Sequence, residues 1–194
     1  MMALIMASAF QTFFQRYLAD PSKIGAIAPT SLHTARLMAS FLPSDGPILE
    51  IGAGTGAITR AIVEQIHEPS RLTSVEVDPE LARIFRASFP NVSLIENDAE
   101  KIMHNTHGAY SAIVSGLPFT SLPPEKTRAL LNDVRESLKP DGIFIAFQYT
   151  LLKQKLFQSY FPKIDIHFSP FNLPPAFVFV CRKKSALMEE ITRQ

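Results

Sequence analysis

The chain has 194 residues, a length at which a single domain with a sizeable core is the natural expectation. Its formal net charge of +1 lacks the positive excess of a protein that grips duplex RNA, so nucleic acid is not an expected partner. The one cysteine, Cys181, excludes an internal disulfide, the five histidines lack metal-ligand spacing, and no apolar stretch reaches the roughly 18–20 residues of a bilayer span.

An amphipathic helix is the first predicted element. Its apolar positions follow the i, i+3, i+4, i+7, i+8 spacing at Phe10, Phe13, Phe14, Tyr17 and Leu18. The helix should stop before Pro21. We expect residues 1–19 either to contact a membrane surface or to pack on the rest of the domain, and the sequence favours neither. The expected location is cytoplasmic, and peripheral on the inner face of the membrane if residues 1–19 contact it.

The segment after the first strand is the most informative part of the sequence. The apolar strand Ile48–Ile51 carries an acid at Glu50, and Gly52, Gly54 and Gly56 then alternate with small residues before a helix that runs to about His67. Glycine has no Cβ, so a ligand can lie against the bare backbone of such a turn. An acid ahead of the glycines disfavours a phosphate and suits a positively charged ligand.

The second strand, Leu72–Val77, ends on another acid. Glu76 follows Gly54 by 22 residues, the spacing at which a carboxylate meets the ribose hydroxyls of an adenosine ligand. A nicotinamide or flavin nucleotide satisfies this spacing too. However, a dinucleotide turn usually reads Gly-x-Gly-x-x-Gly, whereas the glycines here alternate.

The remaining elements continue the alternation of strands and helices. Predicted helices start at Thr30 or Ser31 (to about Phe41), at Pro79 (ending before Phe89), at Pro123 (to Leu138) and at Leu151 (to Phe161). Further strands are predicted at Val92–Glu96, Ser111–Ser115, Ile143–Tyr149, Ile164–Phe168 and Phe177–Cys181, with a turn at 139–142 and a mixed-charge tail from 183. This order predicts an α/β fold with a mostly parallel sheet covered on both faces. The last two strands lack a helix between them, so one of them should run antiparallel.

Taken together, these motifs resemble class I S-adenosylmethionine-dependent methyltransferases. The resemblance implies a Rossmann-like sheet of seven strands with the last strand antiparallel, and S-adenosyl-L-methionine as the cofactor, leaving as S-adenosyl-L-homocysteine. It further implies that Glu50 and the glycine loop hold the methionine part, Glu76 the ribose hydroxyls, and Asp98 the adenine amine. The implied cofactor-binding residues are Ile24, Gly25, Ala26, Glu50, Ile51, Gly52, Ala53, Gly54, Thr55, Gly56, Glu76, Val77, Asp98, Ala99 and Ser115.

The turn after the fourth strand, Ser-Gly-Leu-Pro-Phe (115–119), bears on the methyl acceptor. It resembles the Asn-Leu-Pro-Tyr element of rRNA adenine N6-dimethyltransferases, but Gly116 stands where that family has its base-holding asparagine. A closer resemblance is to bacterial phospholipid N-methyltransferases, carried by this turn and by the stretches 24–31 and 172–176. It implies that the first stretch closes over the cofactor and that the prolines of the last stretch stiffen the rim of the acceptor pocket.

The expected reaction is therefore methylation of the headgroup amine of phosphatidylethanolamine and its methylated derivatives. The expected catalytic residues are Gly116 and Leu117, whose carbonyls accept hydrogen bonds from the amine, and Phe119, whose ring faces the cationic product. Tyr149 and His167 are weaker candidates for a general base. An adenine methyltransferase-like enzyme, a small-molecule amine methyltransferase and a non-enzymatic, cofactor-binding docking protein remain as alternatives.

Overall fold

A computed structural model of the protein describes residues 30–104 and 106–183. The predicted N-terminal helix, the cofactor-binding residues Ile24, Gly25 and Ala26, and the tail after Lys183 lie outside the described residues. The helices are α1 (Leu32–Ala39), α2 (Ala57–Ile66), α3 (Pro79–Ser88), α4 (Ala99–Met103), α5 (Pro124–Ser137) and α6 (Gln154–Tyr160). The strands are β1 (Ile48–Ile51), β2 (Leu72–Glu76), β3 (Ser93–Glu96), β4 (Tyr110–Ser115), β5 (Leu138–Gln148), β6 (Lys163–Ser169) and β7 (Ala176–Arg182).

These strands form one sheet in the order β3-β2-β1-β4-β5-β7-β6. Strands β1 to β5 are parallel to their neighbours among themselves, while β7 pairs antiparallel with both β5 and β6. The predicted Rossmann-like α/β architecture of seven strands, with an antiparallel last strand, is confirmed. Consequently β1 to β5 end at one edge of the sheet, called here the carboxyl edge, and the β6–β7 connection lies at the same edge.

Helices cover both faces of the sheet. The alternation of side chains along β1 sends Ile48 into a cluster with residues of α1, α2 and α3, and Leu49 into a cluster with residues of α5 and α6. Because both faces are packed, all four residues of β1 are buried. This is the reason that a central parallel strand reads as a continuous apolar run.

Three local predictions differ from the structure. The predicted turn at 139–142 lies within β5, where Tyr110 pairs with Leu138 but Ala112 pairs with Ile143, so four residues of β5 bulge opposite one residue of β4. Helix α4 was not expected, because five residues are too few for a helical repeat to be recognised. Helix α6 begins at Gln154 rather than Leu151.

Within the described residues, no helix combines the length and apolar character needed to cross a membrane.

Candidate functional site

The glycine loop after β1 is held by the end of β2. The amides of Gly52 and Ala53 donate to the Val75 carbonyl at 2.9 and 3.1 Å, and the amide of Gly54 donates to Oε2 of Glu76 at 2.7 Å. Because Gly54 adopts a φ of 57°, in the left-handed region, a side chain there would be strained. The two predicted motifs, the glycine loop and the second-strand acid, therefore form one connected unit at the carboxyl edge.

The three glycines of this loop have different surroundings. A Cβ at Gly52 would lie 2.5 Å from Cδ2 of Leu117, and a Cβ at Gly56 would collide with the Phe89 ring. By contrast, a Cβ at Gly54 would have no described heavy atom within 4 Å. The outer glycines thus allow close packing inside the protein, and the middle one leaves a bare backbone surface open to a ligand.

Glu50 is a fully buried carboxyl group beneath this loop. Its Oε2 accepts hydrogen bonds from the hydroxyls of Thr59 at 2.7 Å and Ser74 at 2.6 Å, whereas its Oε1 is buried and has no hydrogen-bond partner among the described residues. Desolvation raises the pKa of Glu50 to about 7; the two hydroxyl bonds oppose this rise and the nearby Glu76 adds to it. A cation beside the free oxygen would favour the charged carboxylate, so this group is suited to a positively charged ligand.

Glu76 supports the backbone around it. Besides the bond from Gly54, its Oε1 accepts from the amides of Val77 at 2.9 Å and Asp78 at 3.0 Å. Its Oε2 accepts one described hydrogen bond, and a carboxylate oxygen has room for a second. The predicted contact with ribose hydroxyls therefore has one lone pair available while the loop remains anchored. Val77 beside it is exposed at the same edge.

Asp98 lies on the neighbouring loop, after β3. Its Oδ1 caps α4 by accepting from the amide of Glu100 at 3.1 Å, and its Oδ2 is 3.3 Å from Nζ of Lys126. The amide of Asn97 donates to the Glu76 carbonyl at 3.0 Å, so the loops after β2 and β3 are joined. Asp98, at the end of this loop, and Ala99, the first residue of α4, thus follow directly on the residue that bonds to Glu76, as a shared ligand would require.

The turn after β4 closes on the glycine loop. The amide of Gly116 donates to the Ile51 carbonyl at 2.9 Å, and Oγ of Ser115 accepts from the amide of Leu117 at 3.1 Å. A Cβ at Gly116 would collide with the Gly52 carbonyl oxygen, which is backbone and cannot turn aside. Gly116 is therefore required for the two loops to approach each other.

Gln148, the last residue of β5, is a site residue that the sequence reasoning missed. Its Nε2 donates to the Phe147 carbonyl at 2.6 Å and to the Leu117 carbonyl at 3.3 Å, which links β5 to the predicted acceptor turn. Its Oε1 is buried without a hydrogen-bond partner among the described residues. The available signal was one polar residue at the end of an otherwise apolar strand.

The structure contradicts the role expected for Phe119. Its side chain is fully buried, and its ring makes edge contacts with Phe144 (centroids 5.9 Å apart) and Phe157 (5.2 Å). The ring therefore belongs to the core on the α5 and α6 face and offers no face to a substrate cation. The error arose because the sequence places Phe119 next to the site without showing which way its ring points.

The two weaker candidates for a general base have structural surroundings. Burial raises the pKa of Tyr149 to about 12, so its phenol stays protonated at neutral pH, and its hydroxyl is hydrogen-bonded to Asn172. The His167 ring lies against the ring of Phe41, with centroids 4.5 Å apart. Neither side chain is arranged as a base.

Two of the three stretches behind the phospholipid resemblance meet in space. Asn172, from the stretch 172–176, is nearly buried, and its Oδ1 accepts from the amide of Ser31 at 2.9 Å and from the hydroxyl of Thr34 at 3.2 Å. Its Nδ2 donates to the Pro174 carbonyl at 2.8 Å. Ser31, the last residue of the stretch 24–31, is also the N-cap of α1. The connection between β6 and β7 is therefore fastened to the start of α1.

Comparison with known proteins shows the family of this chain. A family model described as "Methyltransferase domain" matches residues 48–142. Over 183 residues the chain is 31% identical to an ornithine lipid N-methyltransferase of Singulisphaera acidiphila, covering 89% of this chain and 95% of that protein. The chain belongs to the S-adenosylmethionine-dependent methyltransferases.

Two further similarities are more limited. The methyltransferase chain is 39% identical to ribosomal RNA small subunit methyltransferase A of Chlorobaculum parvum over 87 residues, which is 44% of this chain and only 31% of that relative. Its fold matches the structure of a Burkholderia thailandensis 1,6-didemethyltoxoflavin-N1-methyltransferase, solved with bound S-adenosylhomocysteine, with a TM-score of 0.66 at 16% identity, covering 93% of this chain and 89% of that one.

The described residues of the methyltransferase fit its cofactor. S-adenosyl-L-methionine carries a positive sulfonium and an ammonium group, which match the free Oε1 of Glu50, and ribose hydroxyls, which match the remaining acceptor of Glu76. Gly54, whose backbone is open to a ligand, lies between these two residues in the sequence, and its amide donates a hydrogen bond to Glu76. Within residues 30–104 and 106–183, no group of three or more His, Cys, Asp or Glu side chains is arranged to hold a metal.

Proposed function

We propose that this methyltransferase transfers a methyl group to the headgroup amine of a membrane lipid, with phosphatidylethanolamine and ornithine lipid as the two headgroups to be distinguished. The observation that carries the proposal is the similarity to an ornithine lipid N-methyltransferase over nearly the full length of both chains. Both headgroups present an amine on a lipid, so they share the chemistry that the acceptor turn would have to recognise.

The role of the protein in this reaction is to bind and orient. S-adenosyl-L-methionine, when bound, supplies an already activated methyl group. The acceptor ammonium group must first lose a proton to solvent, because only the neutral nitrogen has a lone pair for the attack. We assign to the carbonyls of Gly116 and Leu117 the task of accepting hydrogen bonds from the N–H groups of the neutral amine and so aiming its lone pair. The Leu117 carbonyl accepts one described hydrogen bond, from Gln148, and a carbonyl oxygen has a second lone pair for the amine.

The packing of Gly116 disfavours the adenine alternative. The asparagine of the rRNA enzymes would stand at this position, and here even a Cβ collides with the Gly52 carbonyl oxygen. The side chain that would hold the base therefore cannot be accommodated while the glycine loop keeps its position. The balanced net charge of +1 also provides no electrostatic attraction to RNA.

The test is to incubate the protein with methyl-labelled S-adenosyl-L-methionine and one acceptor at a time. The acceptors are phosphatidylethanolamine in detergent micelles, ornithine lipid in the same micelles, and total RNA. We expect label in a lipid fraction and none in RNA. The control is the Glu76→Gln variant, which should transfer no label because its side-chain amide group would face backbone donors. Label in RNA, or in neither lipid, would overturn the proposal.

A further inference from the structure

The large apolar side chains that are exposed to solvent have an uneven distribution over the molecule. Among the described residues they are Leu32, Val77, Leu151, Leu152, Phe168, Phe171 and Leu173. All of them lie in or beside the loops of the carboxyl edge. Single exposed apolar residues are normal on any protein, but such residues gathered at one edge indicate an interaction surface.

The most exposed of these side chains stand on two loops. Leu152, in the loop after β5, is 71% exposed, while Phe171 and Leu173, in the loop between β6 and β7, are 71% and 78% exposed. We call these three residues the loop-tip surface. Strand β7 lies between β5 and β6 in the sheet, so both loops emerge next to the ends of β4 and β5, where the acceptor turn and Gln148 lie.

The loop between β6 and β7 is built to hold its apolar side chains outward. Asn172 is only 4% exposed and is fixed by its bonds to Ser31, Thr34 and Pro174. Its neighbours on either side, Phe171 and Leu173, consequently point away from the protein. The ring of His33, in α1, packs against the Phe171 ring, with centroids 4.8 Å apart, and so supports that ring from one side.

The charges along this edge are also segregated. The loops that follow β4, β5 and β6, residues 116–123, 149–153 and 170–175, contain no carboxylate and a single charged residue, Lys153. The loops after β2 and β3, in contrast, carry Asp78 and Asp98. These three loops therefore contain no carboxylate that would repel a negatively charged surface, and they carry exposed apolar groups that can enter one.

We propose that the loop-tip surface docks the enzyme onto a lipid bilayer, with Leu152, Phe171 and Leu173 entering the boundary between headgroups and acyl chains. This inference rests on the proposed lipid acceptor, and it adds a membrane contact within the folded domain, distinct from residues 1–19. Docking by this edge brings the acceptor turn to the depth of the headgroups, so the lipid amine reaches Leu117 without leaving the membrane.

The chain contains no tryptophan, so one introduced tryptophan reports on its own position. In full-length Phe171→Trp and Leu173→Trp proteins, vesicles of phosphatidylethanolamine and phosphatidylglycerol should shift the tryptophan emission to the blue, and brominated acyl chains should quench it. The matched control is Asn91→Trp, at an exposed turn ahead of β3 on the opposite edge, where neither change is expected. Equal behaviour of all three proteins would overturn the proposal.

Other occupants of the surface give different signals. Emission from Phe171→Trp that is already blue-shifted without vesicles, and insensitive to protein concentration, would mean that another segment of the same chain covers the surface. A blue shift that grows with protein concentration would mean a second copy. Either result contradicts docking on a bilayer.

A double variant separates docking from the chemistry. Leu152→Ser with Phe171→Ser should reduce vesicle binding about tenfold or more, because two apolar anchors are lost, while methyl transfer to detergent-dispersed lipid is retained. Equal loss of activity on micelles and vesicles, in a protein with an unchanged unfolding temperature, would contradict a docking role. Failure of the proposed function itself would be read separately, as no labelled lipid from the unmodified enzyme in micelles.

Discussion

At the scale of single residues, the carboxyl group of Glu50 links the fold to the choice of ligand. Two hydroxyl donors satisfy one of its oxygens, and the other oxygen is buried without a partner among the described residues. Burial disfavours the charged form and raises the pKa of Glu50 to about 7, so in the ligand-free protein about half of this group is protonated at pH 7. A cationic ligand supplies the missing partner, whereas a phosphate would increase the cost of the charge.

This arrangement predicts the pH dependence of stability. The pKa of Glu50 is raised from 4.5 to about 7 in the folded state, so the folded protein binds more protons than the unfolded chain between these values. The contribution of Glu50 to the stability of the cofactor-free protein therefore falls as pH rises through this window and levels off above it. Glu50→Gln removes this loss, so its unfolding free energy relative to the unmodified protein should rise by about 2–3 kcal/mol between pH 5 and pH 8.

Urea unfolding of the two cofactor-free proteins at several pH values measures this difference. A constant offset between them is expected from the changed hydrogen bonds to Thr59 and Ser74, and it does not affect the test. Parallel stability curves across pH 5 to 8 would show that Glu50 does not titrate in this range.

At the scale of elements, side-chain hydrogen bonds tie α1 to the β6–β7 loop. Thr34 Oγ1 is 2.8 Å from Ser169 Oγ and donates to Asn172 Oδ1, so a buried polar network joins the helix to the end of β6. Such a network stabilises a structure only when all of its members are satisfied. It also sets the position of Ser31, where the stretch predicted to close over the cofactor ends.

Removing Asn172 should therefore be costly. Asn172→Ala removes the side-chain acceptor of the Ser31 amide and one of the partners of the buried Thr34 hydroxyl, and we expect a loss of about 2–4 kcal/mol in the free energy of unfolding. The control is Asn132→Ala on the exposed surface of α5, which should change stability by no more than about 0.5 kcal/mol. In a double-mutant cycle with Thr34→Val, the two losses should fall short of additivity by more than about 0.5 kcal/mol. Additive losses would mean that the two residues act independently.

The elements also show what the sequence could and could not predict. Local signals were sufficient for β1, for α3 with Pro79 in its first turn, and for the glycine loop, because hydrophobic period, proline and glycine act over a few residues. The pairing of Ser31 with Asn172 was out of reach, since 141 residues separate them. The burial of Phe119 was equally hidden, because an aromatic residue after a strand suits a core and a binding site alike.

At the scale of the whole molecule, the carboxyl edge divides into two halves. The ends of β1, β2 and β3 carry Glu50, Glu76 and Asp98, and the loops after β4, β5 and β6 are apolar with a single lysine. The sheet order places the first three strands together and the other four beside them. The proposed cofactor site and the proposed membrane-docking surface are thus separate, and they meet at the turn after β4.

Hydrogen–deuterium exchange resolves these halves in a single protein. S-adenosyl-L-homocysteine should slow exchange in peptides covering 52–56, 76–78 and 97–99. The reason is that the ligand restrains these loops, which hydrogen bonds from Gly54 to Glu76 and from Asn97 to Glu76 hold together. Phosphatidylethanolamine vesicles should slow exchange in peptides covering 150–153 and 170–173, where the exposed leucine and phenylalanine side chains would leave water. Protection by vesicles centred on 52–56 would contradict this division, and so would S-adenosyl-L-homocysteine that leaves 52–56 unchanged. Protection at both sets of loops when both ligands are present would show that cofactor binding and membrane contact do not exclude each other, which direct transfer from cofactor to lipid requires.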